Sequence, residues 1–136
     1  MFPDLPFEFV VYGTAVSYSA GNPSSKARWR QTIRDAAKEV LPEGHFTLED
    51  PVSVTIYFFP QAEMKADIDN CTKPILDAMS CFVYADDSQV DRIVVQKFEP
   101  ERPLEVRGDP TEILATALAA MEPVVYIKVG TDLHGE

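Results

Sequence analysis

A chain of 136 residues, 46% hydrophobic and 25% charged, is long enough for one proper core and has the composition of an ordinary globular domain. Its formal net charge of −10, from 22 acids against 12 Lys and Arg, argues against a protein that coats nucleic acid generically. No apolar run approaches the roughly 18 residues that cross a bilayer, and the opening MFPDLPFEFVVYG lacks the basic lead and cleavage site of a secretory signal, so no membrane association and a cytoplasmic location are the default expectations.

Residues 7–16, FEFVVYGTAV, predict a strand broken by Gly13. The polar SYSAGNPSS that follows has turn chemistry at Gly21, Asn22 and Pro23, and Ser24 or Ser25 is the expected cap of a helix running to about Val40. Trp29, Ile33, Ala36, Ala37 and Val40 share one face of that helix. Five of the 12 basic residues, Lys26, Arg28, Arg30, Arg34 and Lys38, lie in the same segment. Arg30, Arg34 and Lys38 are spaced by four, a stripe that is ordinarily just a solvated helix face. A loop then leads to VSVTIYFF (52–59), a strand in which Val52, Val54, Ile56 and Phe58 alternate with Ser53, Thr55, Tyr57 and Phe59.

Residues 70–80 read as a second helix. Pro74 is tolerated there only in the first turn, where backbone N–H groups have no intrahelical partner, which places the N-cap at Asp69 or Asn70. DRIVVQKFEP (91–100) is a strand closed by Pro100, and LEVRG (104–108) is a further short strand or a loop. Asp109 as N-cap, Pro110 at N1 and Glu112 at N3 open a third helix whose buried stripe is Ile113, Leu114, Ala117, Leu118 and Met121. VVYIKV (124–129) closes the sheet, and GTDLHGE is a loose tail. The order β-α-β-α-β-α-β over residues 1–136 predicts a single α+β domain, a mixed sheet of four to five strands packed by three helices.

Cys71 and Cys81 would lie about 15 Å apart on one helix, too far for a disulfide. With the distant His45 and His134 they form no zinc ligand set.

The chemistry concentrates elsewhere. Asp67, Asp69, Asp77, Asp86, Asp87 and Asp91 crowd into residues 67–91 around a single lysine, Lys73. If extended, Asp67 and Asp69 point to the same side, roughly 7 Å apart, a spacing that can share or flank divalent ions. Magnesium takes oxygen ligands, typically one or two carboxylates plus substrate phosphates, and Asp86 or Asp87 arrives in a turn well placed to return to the site. On a helical wheel Asn70, Lys73 and Asp77 cluster on one side, opposite Ile75, Leu76 and Met79. An N-cap with a surface salt bridge is the alternative reading of the same residues. An EF-hand loop is excluded, because Cys71 and Thr72 stand where it needs an oxygen ligand and glycine.

The continuous stretch DIDNCTKPILDAMSCFVYADDSQVDRI (67–93) resembles the RusA family of Holliday-junction resolvases: D-x-D-N, a lysine four residues after the second Asp, a D-A pair and D-D-S-Q-V. The remainder matches in the order of its elements. The resemblance implies a small homodimeric, magnesium-dependent endonuclease, with manganese as a possible substitute, that nicks branched DNA symmetrically in recombination and repair. By matched position it implies Asp67, Asp69 and Asp87 as metal-binding and catalytic acids, Lys73 as the catalytic lysine, and Asn70 and Asp86 in support.

Charge strains that reading. Setting aside the six clustered aspartates still leaves 16 acids against 12 bases, or −4. DNA affinity would therefore rest on a local surface, Lys26, Arg28, Arg30, Arg34 and Lys38, doubled by a dimer. A non-cleaving junction-binding protein and a metal-dependent phosphohydrolase of a small substrate are the alternatives.

Overall fold

The computed structural model describes residues 1–19, 22–101 and 108–131. Strand β1 (Phe7–Tyr12) leads to helix α1 (Pro23–Lys38), β2 (Val52–Phe59), α2 (Ile68–Met79), a single 3₁₀ turn (Asp87–Gln89), β3 (Val90–Lys97), α3 (Glu112–Ala119) and β4 (Val124–Gly130). The described strands form one sheet in the order β1-β4-β2-β3. β4 runs antiparallel to both β1 and β2, and β2 and β3 are parallel, so the sheet is mixed and the fold is α+β as expected. The candidate strand at 104–108 falls almost wholly outside the described residues, as do His134 and the rest of the tail beyond 131.

Period-two alternation sorts the sheet into two faces. Phe7, Phe9, Val11, Val52, Val54, Ile56, Phe58, Val125, Ile127 and Val129 point one way and pack with Trp29, Ile33 and Ala37 of α1 and Ile75, Ala78 and Met79 of α2. Phe59, Val124 and Tyr126 point the other way, against Ala117 of α3. The central strands β2 and β4 are largely buried on both faces, which explains why β4 reads as a nearly unbroken apolar run. β1 and β2 each lie antiparallel to β4 and hence run the same way. The helices that follow them, α1 and α2, pack on the same face of the sheet.

Several boundaries differ from the sequence reading. β1 stops at Tyr12, because Gly13 adopts φ +137, a conformation L side chains rarely take. The cap of α1 is Asn22, whose Oδ1 accepts from the N–H groups of Ser24 at 3.0 Å and Ser25 at 3.3 Å, with Pro23 at N1. The helix ends at Lys38, so Val40 swings out to 41% exposure and Leu41 takes the core place. α3 is capped by Thr111, not Asp109. Its hydroxyl accepts from Leu114 N–H and donates to Glu8 on β1, which also takes the Tyr126 hydroxyl of β4. A cap tied into the sheet overrides the local signal at Asp109, and Met121, beyond the helix end, is 93% exposed.

The largest difference lies in α2. It begins at Ile68 with Asp67 as N-cap, two to three residues ahead of the expected Asp69 or Asn70. Pro74 therefore falls in the second turn and leaves the carbonyl of Asn70 without its intrahelical donor. The backbone N–H of Tyr18 supplies the missing bond at 2.8 Å. A loop from a distant part of the chain thus sustains the turn that carries Asp67 and Asp69.

Candidate active site

α2 carries most of the site, and its fixed position comes from both burial and hydrogen bonds. Ile75 and Met79 are fully buried, each contributing about 1.5–3 kcal/mol. At its C-terminus Arg34 Nε donates to Ala78 O at 2.8 Å, a carbonyl past the reach of the helix's own donors, and the Tyr84 hydroxyl adds a second donor, at 2.9 Å, to the Leu76 carbonyl that the Ser80 N–H already caps. Burial, reinforced by the negative charge of Asp87 and Asp77, raises the Tyr84 pKa, so Tyr84 remains a neutral donor.

On the exposed side, Asp69, Lys73 and Asp77 follow one another at four-residue intervals, one helical turn apart. Lys73 Nζ lies 2.8 Å from Asp77 Oδ1 and 3.4 Å from Asp87 Oδ2. These pairs are half-exposed and worth about 0–1 kcal/mol each; their consequence is placement. The hydrogen bond to Asp77, aided by its charge and by Asp87, raises the Lys73 pKa and holds it as an ammonium. Asp67 and Asp69 are exposed at the N-terminus of α2, where the helix dipole offsets part of their repulsion. Their joint field reaches Cys71, whose thiol pKa is raised first by burial, then by Asp69 and Asp67.

Asp87 is presented by a small device. Asp86 caps the 3₁₀ turn by accepting from Ser88 N–H at 3.0 Å, and Gln89 Oε1 accepts from Asp86 N–H at 2.9 Å. The Ser88 hydrogen bonds hold the Asp86 carboxyl below its ordinary pKa. Gln89 Nε2 in turn donates to Leu48 O and Asp50 O, at 2.9 and 3.0 Å, which fastens the turn to the loop before β2. Beside Asp69 and Lys73 runs a shallow groove of about 340 Å³, floored by Ile68, Thr72, Leu76 and Val95.

Whether a metal ion suits these residues can be judged from their oxygens. Asp87 Oδ1 is buried with no hydrogen-bond partner among the described residues, and the Asp67 carboxylate makes no capping bond. Free, charged oxygen donors of this kind match a hard cation. Among the described residues, however, no three His, Cys, Asp or Glu side chains are grouped closely enough to hold one ion. Asp67, Asp69 and Asp87 do not stand as a preformed cage. Magnesium, which commonly takes one or two carboxylates and completes its shell with water and substrate phosphate, does not require one.

The basic residues of α1 divide. Arg28 and Arg30 are exposed, and Lys38 is exposed with its Nζ 6.0 Å from the Phe82 ring centroid. Arg34 is engaged with Ala78 O and with Phe82, its guanidinium carbon 5.8 Å from the ring centroid. Lys26 Nζ lies 5.6 Å over the Tyr18 ring. His45, aligned with Phe82 O at 2.7 Å and edge-on to the Phe82 ring, is part of the packing at that end. Asn70 contributes its backbone carbonyl to the bond with Tyr18. The role of Tyr18 had no signal in the sequence, whereas Gln89 stands three residues after Asp86, the spacing of a capping box, and Asp77 was visible as the i+4 partner of Lys73. Cys71, buried in α2, and Cys81, exposed past its end, are free thiols.

The model of the family described as Endodeoxyribonuclease RusA matches residues 12–107, which covers β1's last residue through β3 and so includes all of these acids and Lys73. No curated protein matches the chain. No helix among the described residues is long and apolar enough to cross a membrane. With well over half its length matched, and with the matched part containing the acid-bearing helix and its lysine, the chain belongs to the RusA endodeoxyribonuclease family: it is an endonuclease that hydrolyses DNA phosphodiester bonds and resolves Holliday junctions.

Proposed function

We propose that this resolvase is magnesium-dependent, works as a cytoplasmic homodimer in DNA recombination and repair, and uses Asp67, Asp69 and Asp87 as its metal-binding acids and Lys73 as its catalytic cation. The observation that supports it best is the meeting of α2 with the turn that carries Asp87. Lys73 is pinned at 2.8 Å to Asp77 and 3.4 Å to Asp87, one turn below Asp69, while Asp87 Oδ1 remains unpartnered among the described residues.

A bound divalent ion would polarise the scissile phosphate, lower the pKa of the attacking water and stabilise the departing oxygen; manganese can substitute where magnesium does. The chain's own part is positioning and charge. Lys73, kept protonated by Asp77, neutralises negative charge that grows on the phosphate, and a compact ammonium suits that task. Asp86 and Gln89 hold Asp87 at the approach to the groove, and Asn70 ties the acidic turn to the loop beside it. Arg28, Arg30 and Lys38, with Lys26, give an otherwise acidic molecule a local surface for phosphates. Two such sites related by a two-fold axis suit paired symmetric nicks, and closed dimers are the commonest oligomers.

The test is cleavage of a synthetic four-way junction with magnesium, with manganese and with chelator. Paired nicks that need the ion and vanish in Asp69→Asn support the proposal; cutting that survives chelation, or persists in Asp69→Asn, refutes it.

A further inference from the structure

We propose that Tyr18 is the stacking platform for a base face exposed at the branch point, an inference that rests on reading the acids of α2 as the cleavage site. Tyr18 is 54% exposed, yet its main chain is not free: its N–H bonds the Asn70 carbonyl at 2.8 Å, the acceptor that Pro74 leaves open next to Asp69. Ser17 Oγ, which meets Ser19 Oγ at 3.0 Å and accepts from Ser19 N–H at 3.2 Å, braces the loop around it. Lys26, at the start of the basic helix, sets its ammonium 5.6 Å from the ring centroid. An open aromatic ring on an anchored main chain thus stands where the acidic helix and the basic helix begin, with a cation over one face to attract a phosphate and the other face left for a base.

The chemistry that fits such a group is a nucleobase whose own stacking is interrupted. Inside a duplex every base face is covered, whereas at a crossover faces become available. Stacking on an aromatic side chain tolerates any base, because every base has a π face. Tyr18 would therefore favour branched over linear DNA without reading sequence, and would hold the strand beside Asp69.

The experiment compares wild type, Tyr18→Phe and Tyr18→Leu for cutting of a four-way junction and for binding to a linear duplex of the same sequence. Tyr18→Leu keeps bulk and the main-chain bond to Asn70 but removes the ring, so folding is retained and its thermal midpoint checks this. The expected result is a KM for the junction raised about tenfold in Tyr18→Leu, kcat within about twofold of wild type, duplex affinity unchanged, and Tyr18→Phe indistinguishable from wild type. A Leu variant with wild-type KM, a Phe variant as impaired as Leu, or an equal loss on duplex overturns the role of the ring while leaving the nuclease reading intact. A wild-type protein that cuts no junction overturns both.

Discussion

Arg34 stands in the middle of the basic stripe, with the same spacing as Arg30, but the two are expected to do different work. Arg34 Nε donates to the part-buried Ala78 carbonyl at 2.8 Å, and its guanidinium carbon lies 5.8 Å from the Phe82 ring centroid. Ala78 is among the last four residues of α2, whose carbonyls have no partner within the helix. Replacing Arg34 with Ala leaves that carbonyl unpaired, at about 1–3 kcal/mol, and removes a cation–ring interaction worth about 0.5–1 kcal/mol. The expected loss is about 2–3 kcal/mol, against under about 0.5 kcal/mol for Arg30→Ala on the exposed face. For a domain of this size that is a fall in Tm on the order of 8 °C. The assay joins thermal unfolding to junction binding across a salt series. Arg30→Ala keeps its Tm and reduces the slope of log K against log salt by about 0.9, the change expected when one fewer phosphate is neutralised. Arg34→Ala loses Tm and keeps the slope. An Arg34→Ala protein with wild-type Tm and a slope reduced by about one would show that the side chain serves DNA, and the argument from its hydrogen bond would be wrong.

Magnesium at about 100 times its Kd is expected to stabilise the fold by about 2.7 kcal/mol. The gain should disappear with chelator and in Asp69→Asn and Asp87→Asn; an unmoved wild-type Tm at saturating magnesium counts against an ion at these acids. Lys73→Met is expected to lower the cutting rate by about 100-fold or more while changing stability by less than about 1 kcal/mol, since both its ion pairs are half-exposed. Single-turnover kinetics and denaturant unfolding separate the two, and a protein that unfolds readily but cuts normally would reverse the assignment. Cys81 is exposed and Cys71 is buried, so a thiol reagent followed by mass spectrometry should modify Cys81 in the native protein and Cys71 only on unfolding. Equal rates at both would contradict the packing of α2.

What local pattern could determine, it did. Alternation in VSVTIYFF and the apolar run VVYIKV mark strands because side chains repeat every two residues, and the order of elements then leaves little choice but a mixed sheet with helices against it. The acids and their lysine were equally legible, since Asp67, Asp69, Lys73 and Asp77 are separated by two or four residues and local geometry alone relates them. Where α2 starts was not legible. A proline at 74 argues for a start at Asp69 or Asn70, and the donor that cancels this objection is the N–H of Tyr18, which only folding brings to Asn70. The same limit applies to Thr111, made the cap of α3 by Glu8, and to Arg34, set apart from Arg30 by Ala78. Sequence spacing specifies which residues share a face, because that follows from the pitch of a helix or the pleat of a strand. Which polar group answers another across the fold is a property of tertiary packing, and here it is packing that put Asp87 against Lys73.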